Sequence, residues 1–251
     1  MKKPISDAVI IMAGSGSRLR RSGKNLPKPL LLLAGRPVIS YTIEALARAG
    51  VERIHAVIGF ESDLLRSGIM ALIPAETDLV WIENPEWQKQ NGVSLLAAAK
   101  SVKAPFFLTM GDHIFDDSIV DLLQKNSKAN ELTLAVDRKL DRIFDLDDAM
   151  KAQTRGDRLI AIGKDLEEYD AIDTGLFVCP RDFFDYLERA KKNGDCSLAD
   201  GVRLMTAAGR VRAIDIGGGW WQDIDTPEML AAAEKVLGGS RHRLTPGPAV
   251  P

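Results

Sequence analysis

The chain has 251 residues, 45% of them hydrophobic and 27% charged, with a formal net charge of −2. That is the composition of a globular protein with a sizeable core, and it lacks the broad basic field a sequence-independent nucleic-acid binder needs. No window reaches the roughly 18 apolar residues of a membrane span, and the apolar run after "MKKPISD" is shorter than the about 7–15 residues of a signal-peptide core. The two cysteines, Cys179 and Cys196, have no metal-ligand spacing and read as reduced thiols, so a cytoplasmic protein is expected.

Apolar runs at 8–13 (AVIIMA), 53–59 (RIHAVIG), 78–82 (DLVWI), 105–110 (PFFLTM) and 131–136 (ELTLAV) read as strands. They are near-continuous rather than alternating, as strands covered on both faces are. Helices are expected between them, over 36–50, 93–102 and 117–126. The first places Ile39, Ile43 and Leu46 on one face, with Pro37 near its start and Gly50 past its end. This alternation predicts an α/β fold with a doubly wound, mostly parallel, Rossmann-like sheet. After residue 137 the chain becomes strongly charged, with short strand candidates at 158–163 (RLIAIG) and 174–179 (TGLFVC). Mixed or antiparallel structure is expected there, packed over one edge of the sheet as a substrate cap. Helices over about 181–191 and 197–208, a strand at 210–217 and a helix opening at Pro227 follow. The Gly- and Pro-rich tail, 238–251, is expected to be disordered.

The first strand runs into "GSGSRLRRSGKNLPKPL", residues 14–30. Glycines let backbone N–H groups approach phosphate oxygens, and basic side chains compensate the charge. Two familiar phosphate loops do not fit. A dinucleotide fingerprint needs a third glycine where Leu19 stands; a Walker A loop needs a glycine where Arg18 stands and Ser or Thr where Asn25 stands. Pro27 and Pro29 stiffen the chain around Lys28, which marks a lysine held in place.

Carboxylates for a divalent cation stand in two further segments. In "FFLTMGDHIFD" Asp112 follows a buried strand at the end where parallel sheets bind ligands, and "GGGWWQDIDTPEM" supplies Asp223 and Asp225. Thr226, Pro227 and Glu228 also read as a helix start. In "ENPEWQKQNGVSLLAAAK", Asn91, Gly92 and Ser94 can present polar groups to a base or ribose, or serve as ordinary helix capping.

"G-S-G-S-R" followed by "L-P-K-P-L" resembles the signature of the nucleotidyltransferase superfamily. Adding "N-G-x-S-L", "T-M-G-D-H", "D-T-G-L-F", "S-L-A-D-G-V" and "W-W-x-D-I-D-T-P-E", residues 8–237 resemble the CTP:inositol-1-phosphate cytidylyltransferases. The resemblance implies cytidylyl transfer from CTP to a phosphorylated polyol, inositol 1-phosphate, with Mg²⁺ as cofactor and pyrophosphate released. It implies Arg18 and Lys28 as the catalytic cations, Ala13, Gly14, Ser15, Gly16 and Ser17 as the phosphate cradle, and Asn91, Gly92, Ser94 and Asp112 on the nucleotide. It implies Asp112 with Asp225 or Asp223, the former favoured, at the metal, and Lys164, Asp173, Thr174 and Gly175 at the acceptor. One nucleotidyltransferase domain, 1–237, is expected, with a nucleotide-binding half at 8–136 and an acceptor-binding half at 137–225. Some relatives carry a fused membrane transferase and this chain ends before any such segment, so a separate membrane enzyme is expected to use the product. Phosphocholine, an aminoalkylphosphonate or a sugar 1-phosphate remain alternative acceptors, and a non-catalytic nucleotide-sugar sensor an alternative function.

Overall fold

The computed structural model describes residues 4–16, 19, 26–103 and 105–238. From the N terminus the elements are β1 (Asp7–Ile11), a 3-10 turn (Lys28–Leu30), β2 (Leu32–Leu33), β3 (Arg36–Pro37), α1 (Val38–Arg48), β4 (Arg53–Ile58), α2 (Ser62–Met70), β5 (Asp78–Glu83), α3 (Asn91–Ala97), β6 (Phe106–Met110), β7 (His113–Phe115), α4 (Asp117–Asn126) and β8 (Leu132–Asp137). The second half adds a 3-10 turn (Leu140–Arg142), β9 (Lys151–Arg155), β10 (Arg158–Gly163), β11 (Ala171–Cys179), α5 (Phe183–Ala190), α6 (Leu198–Ala207), β12 (Val211–Asp215), β13 (Trp221–Asp223) and α7 (Pro227–Gly238).

β1 is buried along its whole length because it lies inside a nine-stranded sheet of order β5-β4-β1-β6-β11-β8-β12-β10-β9. Its alternate residues feed two core layers. Val9 and Ile11 pack with Leu95, Phe183 and Val202 on one face; Ala8 and Ile10 pack with Ile39, Leu46, Leu65 and Val120 on the other. Helices therefore cover both faces, the doubly wound arrangement expected from the apolar runs. β5, β4, β1 and β6 pair in parallel. β11 inserts antiparallel between β6 and β8, and β12 returns parallel to β8. The β9–β10 hairpin reaches β12 through Arg158↔Arg212 and β11 through Ala171↔Ala152, so it curls over the sheet beside the strand ends.

α4 begins and ends where the sequence places it. α3 starts at Asn91, earlier than expected, and stops at Ala97, because beyond it the backbone tightens into i−3 bonds such as Ser101 N–H to Ala98 O, 3.0 Å. α2 is a helix that periodicity did not reveal: only Leu65 and Ile69 are buried in its short span. The ribbon of β7 with β13 is also new, pairing His113 with Asp223 and Phe115 with Trp221. It brings the two acidic segments together.

Candidate active site

β1 and β6 run in parallel register, Ile11 opposite Met110, so the loops leaving them open at one end of the sheet. Two cavities lie there. The smaller, about 180 Å³, is lined by Ala13, Gly14 and Gly16 of the glycine loop and by Gly111. The larger, about 510 Å³, reaches under the second half of the chain, past Asp137, Lys164 and Asp173. Lys28, Asn91, Met110 and Asp112 line both, and so stand between them. Gly16 has φ +61, and a Cβ there would come within 3.0 Å of Lys28 Cγ. The glycine thus permits the left-handed loop and leaves room for the Lys28 stem.

Lys28 is aimed by its proline-flanked 3-10 turn. Its Nζ donates to Asp112 Oδ2 at 3.0 Å and to Asp225 Oδ1. Side-chain exposure of 15%, 21% and 13% for Lys28, Asp112 and Asp225 makes this a largely desolvated triad, where charges interact strongly. Burial works against the Lys28 ammonium, but the two carboxylates outweigh it and raise its pKa. Burial likewise opposes the Asp112 carboxylate, yet Lys28 and His113 hold its pKa well below the usual range. His113 Nδ1 lies 2.8 Å from Asp112 Oδ1; against its burial, that bond and the surrounding carboxylates raise the imidazole pKa. Asp223, opposite His113 on the ribbon, is pushed up by burial and by its neighbours Asp225 and Asp112.

On the far side, β11 carries a register irregularity between Asp173 and Phe177, with Gly175 at φ +74 inside it. Such a bulge re-aims side chains. Asp173 faces the larger cavity, its Oδ1 accepting from Gly175 N–H at 2.7 Å, whereas Thr174 turns inward to donate to Ala135 O at 3.0 Å. Burial pushes the Asp173 carboxyl up to about 6, despite the Gly175 bond and the His113 charge. Lys164 Nζ lies 2.5 Å from Asp148 Oδ1 at the cavity mouth. Trp221 Nε1 donates to Asp137 Oδ2 at 3.0 Å, fixing the indole in the wall.

The raised Asp173 pKa has a thermodynamic consequence. Between the ordinary carboxylate value of about 4 and about 6, the folded protein keeps a proton that the unfolded chain releases, so this group removes stability as pH rises through that window. Asp173→Asn keeps an acceptor for Gly175 and removes the penalty. It is expected to be more stable than wild type at about pH 8, with the advantage shrinking toward about pH 4. Denaturant unfolding across that range checks it; a pH-independent difference would contradict the account.

A family model for the MobA-like NTP transferase domain matches residues 8–203. The chain belongs to that family. Curated relatives include the bifunctional IPC transferase and DIPP synthase of Thermococcus kodakarensis, 34% identical over 238 residues and 92% of this chain but 50% of the relative. The protein of the same name from Rubrobacter xylanophilus is 32% identical over 92% of this chain and 52% of its own. The chain spans about half the length of these curated relatives. Among solved structures, the inositol-1-phosphate CTP transferase from T. maritima superposes with a TM-score of 0.83 at 25% identity, over 95% of this chain and 99% of that one. A UDP-glucose pyrophosphorylase complexed with UDP-glucose, at TM-score 0.77 and 17% identity, shares the fold.

Within this MobA-like domain, the residues singled out from sequence divide by what packing does to them. Ala13, Gly14, Gly16, Lys28, Asn91, Asp112, Lys164, Asp173, Gly175, Asp223 and Asp225 line one cavity or both. Ser15 lies in the same loop. Arg18 and Ser17 lie outside the described residues. Three expected site residues, Ser94, Gly92 and Thr174, line neither cavity. Ser94 is buried and accepts from Asn84 Nδ2 at 3.0 Å behind the α3 N-terminus. Gly92 packs closely on the segment before α6: a Cβ on it would meet Cys196 O at 2.6 Å and Ser197 O at 2.8 Å. Thr174 faces the sheet interior, as its bond to Ala135 shows. Asn91 Oδ1 accepts from Leu198 N–H at 2.9 Å, so this side chain ties α3 to α6 at the cavity edge. Sequence reasoning missed Lys139 and Arg142, which line the larger cavity, and Asp137, which holds Trp221. The charged run after residue 137 was their signal, without a way to choose among its members.

Proposed function

We propose that this chain transfers the cytidylyl group of CTP to inositol 1-phosphate, releasing pyrophosphate and forming CDP-inositol. The observation that carries the reading is the shared wall: Lys28 and Asp112 line both a small glycine-lined cavity and a large polar one. The names of the relatives and of the T. maritima structure support the choice of substrates. In this reading the glycine loop and Arg18 take the triphosphate, with Asn91 at the nucleotide's edge. Lys28 lies between α-phosphate and acceptor phosphate, and Lys164 and Asp173 face the acceptor. An oxygen of the acceptor phosphate attacks the α-phosphorus as the pyrophosphate oxygen departs. The protein supplies no nucleophile; its residues orient the two phosphates and stabilise the charge of the transferring group.

The donor set fits a hard divalent cation. Carboxylate oxygens of Asp112 and Asp225 converge on one point, which the Lys28 ammonium marks. Among the described residues no three His, Cys, Asp or Glu side chains form a protein cage. Magnesium needs none, since it takes one or two carboxylates together with substrate phosphates and water. Asp112 and Asp225 would hold it, with Asp223 close by. Bound there, Mg²⁺ supplies neutralisation of the triphosphate. Among the described residues no helix is long and apolar enough to cross a membrane; our reading places the reaction in the cytoplasm and the product in the hands of a membrane transferase.

Pyrophosphate release tests the proposal, with CTP, UTP, GTP and ATP crossed against inositol 1-phosphate, phosphocholine, 2-aminoethylphosphonate and glucose 1-phosphate. Turnover confined to CTP with inositol 1-phosphate is expected. Turnover with a different acceptor would overturn the assigned substrate, and silence across the grid from folded protein would overturn the activity.

A further inference from the structure

His113 has no part in the reaction outlined above, yet it touches both sides of the site. Its Nδ1 lies 2.8 Å from Asp112 Oδ1, leaving Oδ2 of the same carboxylate toward Lys28. The opposite edge of the ring rests on the β11 bulge: a Cβ on Gly175 would come within 2.4 Å of His113 Cδ2 and 2.5 Å of Nε2. The Trp221 indole stacks beside it, with ring centroids 6.3 Å apart and planes 21° from parallel. Its backbone is fixed as well, since Thr42 Oγ1 donates to the His113 carbonyl and β7 pairs it with Asp223. A ring wedged in this way has little freedom to rotate away from Asp112.

We propose that His113 is a positioning residue: it holds Asp112 Oδ1 so that Oδ2 stays aimed at the divalent cation, and it transmits the placement of the Asp173–Gly175 bulge to that carboxylate. The inference rests on the metal assignment made under the proposed function. Partners that orient a ligating carboxylate commonly change metal affinity or activity by about 10–100-fold when removed. Glycine at 175 belongs to the same device, because any side chain there would drive the imidazole off its seat.

The test separates the two ring nitrogens. In His113→Asn the side-chain amide falls near the place of Nδ1 and can still donate to Asp112; in His113→Gln it falls near Nε2 and cannot. Mn²⁺ affinity is read from the free-ion signal in electron paramagnetic resonance, with and without CTP, alongside melting temperature. His113→Asn is expected to stay within about threefold of wild type and His113→Gln to lose about 10–100-fold. A purely structural histidine would lower both melting temperatures without separating the Mn²⁺ affinities. Equal Mn²⁺ affinity in all three proteins, equal loss in both variants, or no Mn²⁺ binding by wild type would each overturn the proposal. The Mn²⁺ measurement without CTP does not depend on which substrates are used, so failure of the cytidylyltransferase reading shows separately, in the pyrophosphate assay.

Discussion

Lys28→Met is expected to lower kcat/KM for pyrophosphate release by about 10²–10³-fold, the usual loss when one preorganised donor to developing charge is removed. Two further effects follow from where the lysine sits. Its ammonium bridges Asp112 and Asp225 in a largely desolvated position, so in the free protein it occupies the point a cation would take. Removing it leaves neighbouring carboxylates facing one another, at a cost of about 1–3 kcal/mol in folding stability. The same change frees their oxygens, so Mn²⁺ binding without nucleotide should become tighter and restore the lost stability by mass action. Steady-state kinetics, denaturant unfolding and Mn²⁺ titration check the three parts. A variant with wild-type turnover would remove Lys28 from the reaction; unchanged Mn²⁺ affinity would show that the ammonium does not compete with the cation.

Asp112→Asn is expected to be as severe, with turnover down by about 10³-fold and the variant still folded. An amide keeps the size of the side chain but loses the charge that Lys28 and His113 surround. Because Asp112 titrates below the usual carboxylate range, its contribution to stability is present at neutral pH. It is lost only as pH falls below that range, so the variant should resist acid better than wild type relative to its own neutral value. The kinetic loss should fall mainly on kcat. Normal turnover in a well-folded Asp112→Asn protein would sink the assignment of the metal carboxylates.

The parallel core was readable because strands buried on both faces are written as unbroken apolar runs, as in Asp7–Ile11 and Phe106–Met110. The loops that follow these runs stand out for the same reason, since parallel sheets take ligands beyond the carboxyl ends of their strands. The β7–β13 ribbon was not readable: each strand is three residues long, and their pairing joins distant parts of the chain without leaving a period in either. The different placements of Asp223 and Asp225 depend on that ribbon. Asp223 lies on the ladder opposite His113, whereas Asp225, beyond its end, reaches Lys28. Ser94 and Thr174 show the converse limit. Their hydroxyls suit a substrate chemically, but helix phase and the β11 bulge turn both toward buried partners. Only packing decides that direction.

The most direct test of the central claim follows the acceptor's oxygens. Inositol 1-phosphate labelled with ¹⁸O on its phosphate is incubated with CTP, Mg²⁺ and the wild-type protein, and the products are read by ³¹P NMR and mass spectrometry. The expected product is CDP-inositol that retains the label, including at the bridging position of the new diphosphate, with unlabelled pyrophosphate. Formation of CMP with unchanged inositol 1-phosphate, or of labelled pyrophosphate, would contradict it.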